Sequence, residues 1–315
     1  MHDMDACLAH ERRWRARLDQ ARLRAPRAWR LTERRLDTRH DYFMLHHAGQ
    51  QWLGRHIVRP PATHSWLANC IDSTELLGDE ATIAMADGGF VADFTLRPAK
   101  DAEAFLHDAA NDPLSDLVFP FPPLGDDGRE AVCPPEFWAG LAARAQILAQ
   151  GEQHMRSVCA DTLNRCLTPG SLVRDPACST GDFIAAMARS CPSLCFEGSD
   201  ISPPMIEVAR SRHRNAGIDF HVADAAIAAA PCDGLILRFL NAEVVTRALA
   251  ASLFDALVRT VRPGGVIVLF GHTPVLVPVR GRAALHGLRV ERCTASVSRD
   301  DGPALFQYYV LRMPT

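Results

Sequence analysis

Aspartates stand at regular places in the second half of the sequence, each at or just after the end of a short apolar run. Asp175 opens the small-residue stretch Asp175-Pro-Ala-Cys-Ser-Thr-Gly181, Asp200 lies 25 residues further on, and Asp224 closes a third run. Small side chains let backbone N–H groups approach a ligand, and a following helix start favours electron-rich groups. In a doubly wound sheet, Asp200 could accept both hydroxyls of a ribose, and Asp224 could accept a hydrogen bond from an adenine amino group. Helix capping is the alternative for each aspartate.

Two further stretches carry side chains suited to substrate chemistry. Arg238 could bind a carboxylate through two parallel hydrogen bonds. Asn241 could orient an amine, and His272 could take a proton near neutral pH. These three are the candidate catalytic residues. The alternatives are a surface ion pair of Arg238 with Glu243, a helix cap at Asn241 and a structural role for His272.

Other reactive side chains give weaker signals. Cys178 could be a nucleophile, although a cysteine in such a turn is more often a small packing residue. The four histidines between residues 40 and 56 have no recognised metal-ligand spacing, so no metal site is expected. Gly181 is the only glycine of a G-x-G-x-x-G dinucleotide fingerprint in this loop, which gives NAD little support.

The elements that must position these residues alternate from Glu136 onward. Apolar runs of strand length alternate with helix-like stretches, which is typical of a mostly parallel sheet covered by helices. The predicted strands cover residues 171–174, 194–198, 219–222, 234–237 and 266–270, with helices over 136–167, 182–189, 204–214 and 244–261. Residues 288–297 and 304–311 are joined by Asp300-Asp301-Gly302, which leaves no room for a crossover helix, so these two strands must be antiparallel.

The first 135 residues have a different pattern. Residues 1–56 are rich in Arg, Ala and Leu and are predicted to be helical, with a break near Pro26. Tyr42, Phe43 and Trp52 in this segment are either aromatics of a lid or core residues of a small domain. Further on, Asp87-Gly88-Gly89 joins two apolar runs as a β-hairpin.

Turn and proline signals over residues 112–135 mark the predicted domain boundary. It separates an N-terminal helical and β-hairpin region, 1–135, which would act as a lid or shape the substrate pocket, from a catalytic domain, 136–315.

Composition places the chain among ordinary globular proteins. Of its 315 residues, 48% are hydrophobic and 23% are charged, which excludes a disordered or collagen-like chain. The sequence has no apolar run of membrane-spanning length and no secretory signal, and its ten scattered cysteines are typical of reduced thiols, so a cytoplasmic protein is expected. The net charge of −3 gives no general reason to expect nucleic acid as a partner. Eleven arginines between residues 11 and 40 are either a phosphate-binding arm or, as we favour, a solvated helix face.

From about Glu136 to its end, the chain resembles the class I S-adenosylmethionine-dependent methyltransferases. The matching motifs are Asp175-x-Ala-Cys-Ser-Thr-Gly181, Gly198-Ser-Asp200-Ile-Ser-Pro-x-Met-Ile, Val222-Ala-Asp224-Ala and Val261-Arg-Pro-Gly264-Gly265-Val. The resemblance implies an α/β fold, a Rossmann-like sheet closed by an antiparallel C-terminal hairpin, and S-adenosylmethionine as cosubstrate.

The same resemblance implies a place for each motif against S-adenosylmethionine. Asp175 and the loop after it would lie against the methionine moiety, Asp200 would hold the ribose, and Asp224 with Ala225 would border the adenine. Ile201, next to Asp200, is a further cofactor-binding candidate. The loop residues concerned are Ala177, Cys178, Ser179, Thr180 and Gly181. The family more often has glycine at positions 177 and 179, and both replacements here are small.

The stretches around Arg238 and His272, with the Asp175–Gly181 loop, resemble the isonocardicin-synthase type of 3-amino-3-carboxypropyl transferase and its relatives that form azetidine-2-carboxylate. This resemblance implies attack on the γ-carbon of the methionine moiety and release of methylthioadenosine. An ordinary small-molecule methyltransferase and a catalytically silent cofactor-binding subunit remain alternatives. A small-molecule acceptor is expected rather than nucleic acid, because the charge outside the N-terminal segment is acidic and because Asn241 is not followed by the Pro-Pro-aromatic signature of base methyltransferases. No membrane partner is expected, and the oligomeric state is left open.

Overall fold

The computed structural model describes residues 4–34, 41–57, 70–86, 89–125, 127–133, 152–227, 230–299 and 302–315. The chain divides into two units, one formed by Met1–Arg129 with Thr294–Gln307 and the other by Glu130–Cys293 with Tyr308–Thr315. Each unit has a β-sheet with helices packed on it.

The first unit contains a six-stranded antiparallel sheet with the order β1-β6-β5-β3-β2-β7. Its elements in chain order are α1 (Met4–Arg22), β1 (Arg27–Arg34), β2 (Tyr42–His47), β3 (Gln50–Arg55), β4 (Cys70–Ile71), β5 (Leu76–Ala86), β6 (Gly89–Leu96), α2 (Ala99–Asn111) and β7 (Asp116–Val118). Strand β4 pairs with a later strand of the chain.

Both faces of this sheet are covered. Consecutive side chains of a strand point to opposite faces, and Phe43 belongs to the apolar cluster of Phe105 in α2, whereas Tyr42 belongs to the cluster of Leu18 in α1. Trp52 is also buried and stacks on Phe105. The three aromatics that could have belonged to a lid are therefore core residues of this unit.

The prediction of a helical segment over residues 1–56 is wrong beyond Arg22. Helix α1 ends there, before Pro26, and the strands β1, β2 and β3 follow. The helix propensity of Arg, Ala and Leu is worth only a few tenths of a kcal/mol per residue, and pairing within a buried sheet outweighs it. The local signal that the prediction overlooked is Ala48-Gly49, whose φ angles of 49° and 77° form the two-residue turn between β2 and β3.

The hairpin predicted in this region is confirmed. Strands β5 and β6 are antiparallel, and their register runs to the pair Ala86–Gly89. The turn residues Asp87 and Gly88 lie outside the described residues.

The second unit is built on a mostly parallel sheet. Its elements are α3 (Gln153–Cys166), β8 (Leu172–Asp175), α4 (Asp182–Ser190), β9 (Cys195–Asp200), α5 (Pro203–Arg212), β10 (Ile218–Val222), β11 (Cys232–Leu237), α6 (Arg247–Val258), β12 (Val261–Leu269), α7 (Val279–Leu285), β13 (Arg289–Arg299) and β14 (Gly302–Arg312). The strand order is β10-β9-β8-β11-β12-β14-β13. Strands β8 to β12 are parallel to one another, and β14 is antiparallel to β12.

The fold class predicted for the second half of the chain is confirmed, and the predicted helices and strands occur in the expected order, except that the short helix α7 was not predicted. The predicted helix over 136–167 is described only from Gln153 onward, because residues 134–151 lie outside the described part. The helix predicted from residue 244 begins at Arg247 instead, where Thr246 caps it by accepting a hydrogen bond from the backbone N–H of Leu249.

The last two strands contribute to both units. Residues 294–307 belong to the first unit, where Leu305 and Phe306 pair with Ile71 and Cys70 of β4. Strands β13 and β14 are each 11 residues long, which is longer than the predicted pair, and β4 joins the same sheet by pairing with β14. A boundary at residue 135 does not account for this return of the chain.

None of the helices in the described ranges combines the length and the apolar character needed to cross a bilayer.

Candidate active site

The candidate residues gather at one edge of the parallel sheet. Asp175 is the last residue of β8, Asp200 is the last residue of β9, and Arg238 directly follows β11. His272 follows β12 by three positions. The carboxyl ends of parallel strands meet at the same edge, and the strand order reverses at β8, which is where ligands bind in open α/β sheets.

The loop after β8 is a tight turn built on backbone hydrogen bonds. The N–H of Cys178 donates to the carbonyl of Ser199, at 2.8 Å, and the N–H of Gly181 donates to the carbonyl of Cys178, at 2.9 Å. Ser179 and Gly181 have φ angles of 52° and 75°, the left-handed region that favours glycine. A Cβ on Gly181 would also lie 2.8 Å from the ring of Phe220. The sequence needs a glycine at position 181 for both reasons.

Asp200 connects this loop to the next helix. Its Oδ2 accepts the N–H of Ser179 and its Oδ1 accepts the N–H of Ser202, both at 2.9 Å. Burial raises the pKa of Asp200 above its ordinary value, although these two hydrogen bonds oppose the shift. Each carboxylate oxygen can accept a further hydrogen bond. The Ile201 side chain beside it is 65% exposed.

Asp224 lies in an exposed turn after β10. Its Oδ1 accepts the N–H of Ala226 at 2.9 Å, which is an Asx turn rather than a helix cap. Ala225 lies between the two residues that make this hydrogen bond and is half-buried.

Arg238 is held between two buried carboxylates. Its Nε donates to Asp175 Oδ2 at 3.2 Å and its Nη1 donates to Glu152 Oε1 at 2.5 Å, while the guanidinium lies 4.4 Å from the ring centre of Phe183. Burial would lower the pKa of Arg238, but the charges of Glu152 and Asp175 outweigh it and raise this pKa. The proposed surface pair with Glu243 is wrong, because the partners of Arg238 are these two carboxylates.

Glu152 was missed by sequence reasoning, although it contacts two of the three candidate catalytic residues. Its Oε1 accepts from Arg238 and lies 3.0 Å from His272 Nε2, and its Oε2 lies 3.4 Å from Arg156 Nη2. Burial acts to raise the pKa of Glu152, but the positive charge of Arg238 and the hydrogen bond from His272 hold it at about 2. The local sequence offers one sign of this residue, an i,i+4 pair with Arg156.

Asn241 is buried with one polar atom unused. Its Nδ2 donates to Thr273 Oγ1 at 2.6 Å, and that hydroxyl in turn donates to the carbonyl of Ala242. Because this hydroxyl proton is committed, the hydroxyl can only accept from Asn241, which fixes the orientation of the amide. Asn241 Oδ1 is buried and has no hydrogen-bonding partner in the described part of the chain. The helix-cap alternative is wrong, since Thr246 caps α6.

The remaining candidates behave as small packing residues. The Cys178 side chain is buried, and burial raises the pKa of its thiol, which disfavours the thiolate that a nucleophile requires. Thr180 is buried and its hydroxyl donates to Asp182 Oδ2, whereas Ala177 is half-buried with its N–H directed at Asp175 Oδ1.

Among the described residues, no three His, Cys, Asp or Glu side chains have the arrangement of a metal site; a metal-free site stays a prediction.

His154, in α3 near this cluster, gives a pH-dependent stability. Burial and the charge of His272 lower the pKa of His154 from 6.5 to about 4. The unfolded chain therefore binds more protons between these values, so stability is complete above pH 6.5 and falls as the pH drops toward 4. We expect a loss of about 2 kcal/mol in the free energy of unfolding across this window. Urea unfolding at pH 7 and pH 4.5 measures it; an equal loss in His154→Gln would contradict the assignment.

Comparison with known proteins agrees with this arrangement. Residues 173–265 match the family model of a methyltransferase domain. The chain is 38% identical over 221 residues to a curated relative, and the match covers 69% of this chain and 70% of that protein. The chain belongs to the class I S-adenosylmethionine-dependent methyltransferase family.

The curated relative that matches at 38% identity is isonocardicin synthase of Nocardia uniformis subsp. tsuyamanensis. A second relative, the ubiquinone/menaquinone biosynthesis C-methyltransferase UbiE of Desulfotalea psychrophila, is 34% identical over 138 residues, which are 42% of this chain and 53% of that protein.

Solved structures of low similarity include the magnesium protoporphyrin IX methyltransferase of Synechocystis PCC 6803, with a TM-score of 0.41 and 18% identity over 51% of this chain and 83% of that one. The N-methyltransferase NodS of Bradyrhizobium japonicum WM9 also gives a TM-score of 0.41 with 18% identity, over 52% of this chain and 88% of that one.

Proposed function

We propose that this chain uses S-adenosylmethionine as an alkyl donor and transfers its 3-amino-3-carboxypropyl group, with release of methylthioadenosine. The observation that carries the proposal is the 38% identity with isonocardicin synthase over 69% of the chain. The resemblance of the stretches around Arg238 and His272 to aminocarboxypropyl transferases of that type supports it. The acceptor is a small-molecule nucleophile or the amine of the transferred group itself. A cytoplasmic location stays a prediction.

The residues at the sheet edge fit this cosubstrate. The free lone pairs of the Asp200 carboxylate suit two ribose hydroxyls, and the exposed face of Ile201 suits the adenine. The unused acceptor Asn241 Oδ1 suits an amine N–H. Because a buried polar atom without a partner costs free energy, an amine that reaches Asn241 Oδ1 gains a hydrogen bond at little cost to the protein.

A sulfonium activates its three attached carbons toward in-line displacement. In the proposed reaction a lone pair of the nucleophile forms the bond to the γ-carbon, the carbon–sulfur pair leaves with methylthioadenosine, and the nucleophile loses a proton. In ring closure the substrate's own amine is the nucleophile. The same bond to the γ-carbon forms, the same carbon–sulfur bond breaks, the amine loses a proton, and the product is azetidine-2-carboxylate. What remains for the protein is to orient the nucleophile and accept this proton.

Methyl transfer is the second candidate. The methyltransferase-domain match over residues 173–265 and the similarity to a C-methyltransferase support it. The sheet edge would bind S-adenosylmethionine in the same way, and the two reactions differ only in the carbon that is attacked.

Mass spectrometry of the products separates the candidates. The protein is incubated with S-adenosylmethionine that carries a deuterated methyl group, alone and with panels of phenols and amines as acceptors. We expect labelled methylthioadenosine well above the level in a no-enzyme control, with an aminocarboxypropylated acceptor or azetidine-2-carboxylate beside it. Homoserine lactone in step with methylthioadenosine would indicate spontaneous breakdown.

Unlabelled S-adenosylhomocysteine with a labelled acceptor would overturn aminocarboxypropyl transfer in favour of methyl transfer. Binding of the cosubstrate without any product would instead favour a silent cofactor-binding subunit.

A further inference from the structure

Glu152 and His272 form a carboxylate–histidine pair at the sheet edge, and cosubstrate binding does not account for it. The two residues are 120 positions apart, and Glu152 Oε1 lies 3.0 Å from His272 Nε2. The Glu152 side chain is 8% exposed, whereas that of His272 is 33% exposed. A buried carboxylate therefore supports a histidine that reaches the surface of the sheet edge.

Glu152 is itself held in place. Its Oε1 also accepts from Arg238 Nη1, and Arg156 Nη2 lies 3.4 Å from its Oε2. The positive charge of these guanidiniums keeps the carboxylate ionised, in agreement with its pKa of about 2. An ionised carboxylate can only accept hydrogen bonds, so the hydrogen between the pair belongs to His272 Nε2.

This assignment determines the state of the other ring nitrogen. A neutral imidazole carries one proton, so with Nε2 protonated the Nδ1 atom has a free lone pair. In the described ranges His272 Nδ1 has no hydrogen-bonding partner. The next residue, Thr273, accepts a hydrogen bond from Asn241, so the loop that carries His272 is joined to the loop that carries the unused Asn241 Oδ1.

We propose that His272 Nδ1 accepts the proton that the nucleophile loses in the displacement, and that Glu152 is the positioning residue that holds the required tautomer and stabilises the imidazolium that forms. The proposal rests on the proposed function for the identity of the nucleophile. The charged and titratable groups facing this pair are Arg238, Arg156, Asp175 and His154. A carboxylate that orients a histidine and stabilises its charged form is an established way to make a general base.

Nitrogen NMR of uniformly labelled protein tests the tautomer without any turnover. The spectra are recorded in the absence of S-adenosylmethionine, and the His272 signals are assigned by their loss in His272→Gln. We expect the shift of a protonated nitrogen at Nε2 and of a lone-pair nitrogen at Nδ1. The opposite tautomer would overturn the proposal, whatever the product of the reaction.

A double-mutant cycle tests the coupling in the acceptor or ring-closure assay that gives product. We expect His272→Gln and Glu152→Gln each to lower kcat by about 100-fold with KM for S-adenosylmethionine changed less than threefold, and the double variant to lose no more than His272→Gln alone. The acid limb of the pH–rate profile should disappear in His272→Gln. Losses that multiply in the double variant would overturn the positioning role, because a purely structural Glu152 acts independently of His272.

His286→Gln is the matched control. His286 Nε2 also pairs with a carboxylate, Asp255 Oδ1 at 2.8 Å, in the loop after α7, and its loss should leave turnover unchanged. If product forms at the full rate in His272→Gln, the general-base proposal fails while aminocarboxypropyl transfer stands. If the product is S-adenosylhomocysteine and the cycle is non-additive, the reverse holds.

Discussion

Asp200→Ala is expected to weaken the binding of S-adenosylmethionine by about 100-fold. In the proposed site this carboxylate accepts both ribose hydroxyls, and two hydrogen bonds to a charged acceptor are worth about 3 kcal/mol together. The substitution also removes the acceptor for the N–H of Ser179, so the loop that would face the methionine moiety loses a support. Isothermal titration calorimetry with S-adenosylmethionine measures the change.

Asp219→Ala is the control for this experiment. Asp219 is an exposed aspartate on the neighbouring strand β10, and its loss should leave the affinity within a factor of two or so, since exposed charges at a distance are screened. An affinity unchanged in Asp200→Ala would remove Asp200 from the ribose site. A lower melting temperature alone would not explain a specific loss of affinity in protein that remains folded at the temperature of the titration.

Arg238→Met should cost about 3–5 kcal/mol in the free energy of unfolding, because it removes the cation that two buried carboxylates share and leaves only the longer contact of Glu152 with Arg156. The Asp175 and Glu152 side chains are 0% and 8% exposed, and both have their charge balanced by Arg238. The flat guanidinium also packs on Phe183. Arg238→Lys should recover only part of the loss, because an ammonium group cannot donate to both carboxylates in the same directions and cannot stack on an aromatic ring as a flat guanidinium does. Urea unfolding at pH 7 measures both variants.

Arg262→Met provides the comparison at the surface. Arg262 pairs with Asp233 at 2.9 Å, but the two side chains are 47% and 28% exposed, so we expect a cost below about 1 kcal/mol. Adding Glu152→Gln to Arg238→Met should restore part of the stability, because it removes one of the uncompensated charges. Equal costs for the two methionine variants would mean that the buried cluster does not depend on Arg238.

Local patterns predicted the parallel sheet and the edge at which the candidate residues lie. Two features follow the ends of predicted strands, the small-residue loop from Asp175 to Gly181 and the aspartate at the end of β9. Because neighbouring parallel strands end at the same edge, their closeness in space could be predicted. The same reasoning could not predict the role of Glu152, because this residue contacts Arg238, 86 positions away, and His272, 120 positions away. Nothing in a periodic pattern indicates which charged residue of a helix start will be buried.

In the N-terminal unit the local signal was present but predicted the wrong secondary structure. Arg, Ala and Leu between residues 27 and 55 indicated helix by propensity, whereas the structure has three strands there. Their pairing partners, β6 and β5 for two of them, come tens of residues later. Propensity is a sum of small local contributions, and the burial of apolar side chains on both faces of the sheet, under α1 and α2, outweighs it.

The return of residues 294–307 to the first unit has a consequence for synthesis on the ribosome. The partners of β4, Leu305 and Phe306, are translated only after residues 130–293 of the second unit, and so is Gln307, whose side-chain amide donates to the carbonyl of Leu117 at 2.9 Å. A nascent chain that has released its first 129 residues therefore still lacks part of that unit's own structure, although domains generally fold in the order of their synthesis. The first unit therefore cannot be completed until residues 130–293 of the second unit have been made, and a fragment ending near residue 135 would be an incomplete domain with an unpaired strand.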